Sequence, residues 1–279
     1  MKQETGYFTS FDGTKLFYRK WNNGSNFNLL IVHGIGEHSG RYQVFAEELM
    51  KRNSISVFAF DLRGHGRSDG PKMYVDSFDE FVNDIYAFRS FLEGENRIQG
   101  RFVLLGQSMG GLVATLAALN NQSVWQSLIL LSPFFAVYRA HSILNHFAKL
   151  LNFIFPKLIW RNPVQPLYLS HDPEEVNLYQ KDPLIQRFIS GRLAREMFGA
   201  CTQVYHRSSE VNLPVFILAG DDDRIISVAA IRKFYERIQS VRKRIKFFDH
   251  CYHELLHEKE RYEAIQIISG YLNDVSMGL

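Results

Sequence analysis

The chain has 279 residues, of which 46% are hydrophobic and 22% charged. That is the make-up of a folded globular protein long enough to bury a substantial core, and it excludes disorder, collagen and coiled coil. The 32 Lys and Arg against 29 Asp and Glu leave a net charge of +3, too small and too scattered for a nucleic-acid surface; the one tight basic run, Arg242-Lys243-Arg244, suits a solvated turn before a strand. Two cysteines, Cys201 and Cys251, cannot build a disulfide framework, and the N-terminal MKQETGYFTS holds no apolar stretch of the secretory kind. A reducing cytoplasm is the expected compartment.

In chain order, unbroken apolar runs at 29–32 (LLIV), 57–60 (VFAF), 102–105 (FVLL), 128–131 (LILL) and 215–218 (VFIL) predict strands covered on both faces, as in a parallel sheet. Helical periodicity occupies 42–52, 77–92, 111–120, 227–239 and 258–273. Strand and helix alternate, so the class is α/β. The alternation fails over 134–206, where apolar helical stretches, prolines and a polar segment intervene. This predicts a core of residues 1–133 and 207–279 interrupted by a helical cap, or lid, at 134–206. Within it, residues 143–160 (ILNHFAKLLNFIFPKLIW) are dense in Phe, Leu and Ile but carry Lys149, Lys157, His146 and Pro156, which excludes a membrane span. Core, lid and a face resting on a membrane surface all remain open for it.

Three motifs compete for the chemistry. Gly-x-Ser-x-Gly occurs at Gly106-Gln107-Ser108-Met109-Gly110 and at Gly66-Arg67-Ser68-Asp69-Gly70, and His-Glu-x-x-His occurs at His253-Glu254-Leu255-Leu256-His257. Chance would supply the serine pattern about 0.1 times and the zinc pattern about 0.02 times in such a chain, so rarity does not choose between them. Context does. Ser108 follows the strand run RFVLL and precedes a small-residue helix, the arrangement that lifts a hydroxyl out of a sheet toward helix N-terminal amides. Ser68 lies among turn formers before Pro71 and is assigned a turn role. The zinc pattern straddles a loop and the start of the last helix and has no third ligand at the required spacing, so His257 is expected on the surface at a helix N-terminus.

A serine hydroxyl needs a base, and the base needs an orienting acid. In a strand-turn-helix architecture these follow later strands in the order acid, then histidine. The run at 215–218 leads into Gly220-Asp221-Asp222-Asp223, and the next apolar run leads into Asp249-His250-Cys251-Tyr252-His253. Three consecutive carboxylates cannot all face one imidazole, so spacing leaves the aspartate open; His253 is preferred to His250, which is closer to the strand end. An oxyanion would be met by the N–H of Met109, directly after the nucleophile, and by that of Ile35 in the loop His33-Gly34-Ile35-Gly36. A dinucleotide fingerprint at that loop fails on spacing, since the next glycine is Gly40. Cys251, two residues before the base, raises the expectation of modest inhibition by thiol reagents, against the commoner case of a buried inert thiol.

With these residues assembled, the chain resembles the α/β-hydrolase superfamily, and within it the monoacylglycerol lipase and lysophospholipase group, whose members are serine aminopeptidase-like hydrolases. His33-Gly-Ile-Gly-Glu-His-Ser-Gly-Arg-Tyr42, Asp61-Leu-Arg-Gly-His-Gly-Arg-Ser-Asp-Gly70, Gly106-Gln-Ser-Met-Gly-Gly111, Gly220-Asp-Asp-Asp-Arg224, Tyr252-His-Glu and the cap segment beginning Asp172-Pro-Glu-Glu-Val carry the resemblance in order. It implies an α/β-hydrolase fold with a mostly parallel central sheet flanked by helices and an inserted helical cap. It also implies a serine carboxylesterase that needs no cofactor and cleaves a small lipid ester, monoacylglycerol or lysophospholipid, through an acyl-enzyme. Carried over by motif, Ser108 is the nucleophile, Asp223 the acid (Asp222 second), His253 the base, and Ile35 and Met109 the oxyanion amides. Glu37, Arg41 and Tyr179 match positions that shape the polar end of the pocket, against the alternative of a structural ion pair and a packed tyrosine. Gln107 departs from the histidine usual before the nucleophile, which keeps short-chain and aromatic esters open as substrates. A catalytically idle receptor on the same fold is the rival of another class, and the intact Ser, Asp, His order argues against it. A cytoplasmic enzyme with transient membrane-surface contact through its cap is the expectation for location; the oligomeric state is open.

Overall fold

The computed structural model describes residues 3–94, 98–100, 102–138, 158–162 and 164–278. The apolar runs become strands β3 (Asn28–Val32), β4 (Ser56–Phe60), β5 (Phe102–Gln107), β6 (Trp125–Leu131) and β9 (Val215–Gly220), buried along nearly their whole length. With β10 (Lys243–Phe248) they pair in parallel, because each is reached by a crossover that passes over one face of the sheet. Two further strands, β1 (Gln3–Thr9) and β2 (Lys15–Trp21), complete among the described residues a sheet of eight in the order β1-β2-β4-β3-β5-β6-β9-β10.

The first two strands carry no apolar run. β1 (Gln3–Thr9) and β2 (Lys15–Trp21) form an antiparallel hairpin at the sheet edge, and their polar, half-solvated residues hide the pattern that marks a strand covered on both faces. The basic run is also corrected: Lys243 and Arg244 open β10, and the Lys243 ammonium donates to the carbonyls of Tyr235 and Ile238.

Alternate residues of one strand feed opposite cores, as the period of two requires. Leu30 and Val32 of β3 pack with Phe58, Leu104, Leu112 and Phe88 under helices α2 (Asp79–Gly94) and α3 (Met109–Asn120). Leu29 and Ile31 pack with Phe45, Leu49, Ile265 and Leu272 under α1 (Gln43–Arg52) and the C-terminal helix at Arg261–Ser276. α3 begins at Met109, two residues before the expected 111. The C-terminal helix begins at Arg261 rather than 258, because residues Leu255–His257 form a separate 3-10 turn and Glu258 is extended.

Between β6 and β9 the chain leaves the sheet. The described part contains β7 (Ile159–Arg161) paired with β8 (Phe188–Ser190), then helix α4 (Pro173–Lys181), capped by Asp172, and α5 (Gly191–Arg207), capped by Ser190. The excursion is therefore not wholly helical. After β9 come α6 (Val228–Arg237), β10 and the C-terminal helix, α7. The apolar stretch 143–160 lies outside the described residues except for Leu158, Ile159 and Trp160, of which the first two are exposed. Among the described residues no helix is long and apolar enough to cross a membrane.

Candidate active site

β5 ends at Gln107 and α3 starts at Met109, so Ser108 occupies the bend between them with φ 52° and ψ −118°. A left-handed φ at a residue with a side chain persists only when its surroundings enforce it. Here the Ser108 N–H donates to the Leu131 carbonyl at 3.0 Å, and the Ser108 carbonyl accepts from Gly111 at 2.9 Å and Phe134 at 3.0 Å. The flanking glycines are obligatory. A Cβ on Gly106 would lie 2.3 Å from the Gly110 carbonyl oxygen, and one on Gly110 would lie 2.2 Å from that of Val32. Ser68, by contrast, donates its hydroxyl to the Asp61 carbonyl and accepts the Phe17 N–H, which fixes a turn and leaves no free nucleophile.

The loops after β9 and β10 meet. His253 Nδ1 lies 2.7 Å from Asp223 Oδ2, both side chains buried. The other Asp223 oxygen accepts the amides of Ile225 at 2.8 Å and Ile226 at 3.0 Å, locking the carboxylate toward the imidazole. Asp221 instead caps the His250 N–H, and Asp222 pairs with exposed Arg224. Burial opposes a charge on His253, but the Asp223 carboxylate beside it overrides this and raises the pKa above the usual histidine value. With Nδ1–H directed at Asp223, Nε2 carries the lone pair that a general base uses. Gln107, beside the serine, donates its amide to the His253 carbonyl at 3.3 Å.

Hydrogen bonds hold the loop after β3 at several points. His33 Nε2 accepts the Leu62 N–H at 2.9 Å, so Nδ1 donates to the Gly34 carbonyl at 2.7 Å; burial pushes this imidazole down to about 4 and keeps it neutral. The Gly34 N–H donates to Glu37 Oε1 at 2.6 Å, and Gln186 donates to the Gly36 carbonyl at 2.7 Å. Among the described residues the N–H groups of Ile35 and Gly36 have no acceptor. The point a Gly34 Cβ would occupy is 3.3 Å from Ser108 Cβ and 2.9 Å from Glu37 Oε1, so Ser108, the loop and the Glu37 carboxylate are close neighbours.

Glu37, Arg41 and Tyr179 come together as well. The Arg41 guanidinium pairs with Glu37 at 3.0 Å, binds both oxygens of Glu254 at 2.6 Å, and carries the Tyr179 ring 4.9 Å from its central carbon. Burial pushes the Glu254 carboxyl up, but Arg41 outweighs it and holds the group down at about 2. His257 is a correction to the expected surface residue: it packs in the 3-10 turn, donates Nε2–H to the Arg41 carbonyl at 3.2 Å, and is pushed down to about 4 by burial and by Arg41. His253 and His257 share no helix, and among the described residues no group of three or more His, Cys, Asp or Glu is arranged around a metal position. Cys251 takes the commoner of its two expected forms, the buried thiol. Its thiol is buried, and burial together with Glu260 and Glu258 pushes it up to about 12, away from any reactive thiolate.

Beyond Ile35 opens a cavity of about 440 Å³, mostly apolar, lined among others by Phe134, Trp160, Ile189, Met197 and Ile225. Sequence reasoning passed over Glu254 and Gln186. Glu254 stands inside the His-Glu-x-x-His pattern, where its adjacency to the base was the available signal; Gln186 had none, because its partner Gly36 is distant in the chain.

A family model described as Hydrolase_4, serine aminopeptidase S33, matches residues 26–260. The chain is 33% identical to the monoglyceride lipase of Rattus norvegicus, over 98% of this chain and 89% of that protein. The solved structure of the Paleococcus ferrophilus monoacylglycerol lipase is similar with a TM-score of 0.84 at 30% identity, covering 94% of this chain and 98% of that one. A soluble variant of the Saccharomyces cerevisiae monoglyceride lipase, solved with a substrate analogue, has a TM-score of 0.88 at 22% identity over 99% and 95% of the two chains, a likeness of fold alone.

Proposed function

We propose a reaction from the premise that the chain belongs to the serine aminopeptidase S33 family of α/β-hydrolases and is a serine hydrolase of the lipase and esterase type: it cleaves monoacylglycerol to fatty acid and glycerol through an acyl-enzyme. The observation that carries the reading is the buried His253–Asp223 pair at 2.7 Å, delivered to the sheet end where Ser108 is held in its strained bend. Residues 134–206 act as a cap over a core of 1–133 and 207–279.

In this mechanism Ser108 Oγ attacks the ester carbonyl as His253 Nε2 takes its proton, and Asp223 stabilises the imidazolium. The developing oxyanion accepts from the amides of Ile35 and Met109, each worth on the order of 3 kcal/mol of barrier. Protonated His253 then gives its proton to the departing glycerol oxygen, and a water activated by the same nitrogen releases the fatty acid. The acyl chain lies in the cavity lined by Phe134, Trp160 and Met197, where each buried methylene contributes about 0.8 kcal/mol. Glu37, Arg41 and Tyr179 border the polar end at the glycerol.

The test is a panel of monoacylglycerols, lysophospholipids, short esters and aromatic esters, run with wild type and Ser108→Ala. The expected result is fastest cleavage of monoacylglycerol, kcat/KM rising with acyl length up to the capacity of the cavity, and no turnover by Ser108→Ala. Fatty-acid release by Ser108→Ala at the wild-type rate would falsify the mechanism, and faster cleavage of a short or aromatic ester would reassign the substrate.

A further inference from the structure

Asp223 holds the imidazole of His253, but the peptide that carries the imidazole is held by another acid. Glu258 is fully buried, and it bonds to two segments, the one at residues 170 and 171 and the one that carries His253. Its Oε1 accepts the N–H of Tyr252, the residue before His253, at 2.7 Å, and lies 3.0 Å from His171 Nδ1. Its Oε2 accepts the His171 N–H at 2.8 Å and lies 3.2 Å from the Ser170 hydroxyl, which also reaches the His257 carbonyl at 2.8 Å. On the other side of the base, the Glu254 N–H donates to the Leu169 carbonyl at 2.8 Å, and the rings of His171 and Tyr252 stack at 3.6 Å. Residues 169–171, in the proposed cap just before helix α4, thus form one wall of the loop that carries His253.

A buried carboxylate is costly unless its surroundings are built to receive it. Among the described residues no Arg or Lys pairs with Glu258; its donors come from the two segments that it joins. A carboxylate alone can accept at both oxygens, whereas an amide of the same size turns one of them into a donor. The geometry points to Glu258 as a positioning residue for the base: it pins the Tyr252–His253 peptide to residues 170 and 171, so that the reach of His253 toward Ser108 depends on where that part of the cap sits. The inference rests on the proposed roles of Ser108 and His253. Glu258 itself touches neither substrate nor reacting atoms, and displacement of a catalytic group by about 1 Å can cost on the order of 100-fold in rate.

The experiment compares wild type, Glu258→Gln, His171→Phe and Ser108→Ala. Each is first titrated with a fluorophosphonate to count competent sites and then assayed on p-nitrophenyl octanoate. Glu258→Gln sets an NH2 against one group of donors; His171→Phe keeps a ring on Tyr252 and removes the imidazole nitrogens, Nδ1 among them. The expected result is a fall in kcat per titrated site of about tenfold in Glu258→Gln and a smaller fall in His171→Phe, with KM within about twofold of wild type. Unchanged kcat per titrated site overturns the inference, whether or not the titre itself drops, and so does a rise in KM alone. Should Glu258→Gln fail to fold, His171→Phe decides by the same measure. Labelling that persists in Ser108→Ala removes the premise instead, and it shows in the titration before any kcat is compared.

Discussion

His253 Nδ1 and Asp223 Oδ2 are 2.7 Å apart and shut away from water, so the imidazole gains a proton more readily than a free histidine despite its burial. Burial acts first and against the charge; Asp223 outweighs it, with Glu254 and Glu37 adding to the same side. In the proposed mechanism His253 works as a base only when neutral. We expect kcat/KM for an ester to rise with pH through an apparent pKa above the ordinary histidine value of about 6.5. In Asp223→Asn burial acts with its main opponent removed, so the residual activity should titrate lower than in wild type. The stability sign is the reverse of a carboxylate's: with the folded pKa raised, the pair contributes fully below the unfolded value and loses its contribution as pH climbs through the folded one. The Tm difference between wild type and Asp223→Asn should therefore narrow on going from pH 6 to pH 9.

Gly110→Ala should destabilise the protein by about 3 kcal/mol or more, at the upper end of overpacking costs, because the new methyl would meet the backbone oxygens of Val32 and His33 at 2.2 and 2.4 Å. Neither oxygen belongs to a side chain that could turn aside. Gly199→Ala is the contrast. It lies on the exposed face of α5 with nothing within 4 Å of its Cβ position, and it should stabilise by about 0.5–1 kcal/mol through lost unfolded-state freedom. Urea midpoints for both variants decide the matter, and a stable Gly110→Ala would refute the account of the bend.

What the sequence made legible follows from range. Leu29, Leu30 and Ile31 announce β3 because burial on both faces leaves no polar residue in the run, and Gly106, Ser108 and Gly110 announce the bend because its constraints are local. β1 and β2 stayed hidden, since β1 at the sheet edge is mostly exposed and the hairpin's pairing, Tyr7 with Phe17, links positions that show no long run of their own. Three aspartates in a row could not be ranked by spacing; what separates Asp223 is that the amides of Ile225 and Ile226 turn back onto it. Glu258 and Gln186 were beyond reach, because His171 and Gly36 meet them only once the segment between β6 and β9 has folded onto the sheet.

Cys251 should resist thiol reagents. Burial and the carboxylates of Glu260 and Glu258 push its thiol up to about 12, and Cys201 is pushed up to about 12 by burial, so at neutral pH almost no thiolate exists at either position. Native enzyme treated with maleimide at pH 7 should keep its activity and its mass, and both cysteines should react once urea unfolds the chain. Loss of activity in step with Cys251 modification of the native protein is the contrary result.

Arg41 faces Glu37 and Glu254 with little solvent among them, so Arg41→Gln leaves two buried carboxylates without their cation. Removing one partner of a buried ion pair typically costs about 3–5 kcal/mol, and the loss should appear in the urea midpoint at pH 7. The pH dependence follows from Glu254, which burial pushes up but Arg41 holds down at about 2. A depressed folded pKa gives a contribution that is present above the unfolded value of about 4.5 and drains away as pH falls toward the folded value. The stability gap between wild type and Arg41→Gln should therefore be widest at pH 6–7 and shrink below pH 4.5. A gap that stays constant from pH 7 to pH 3.5 would mean that Arg41 stabilises the protein through its packing on Tyr179 rather than through its charge.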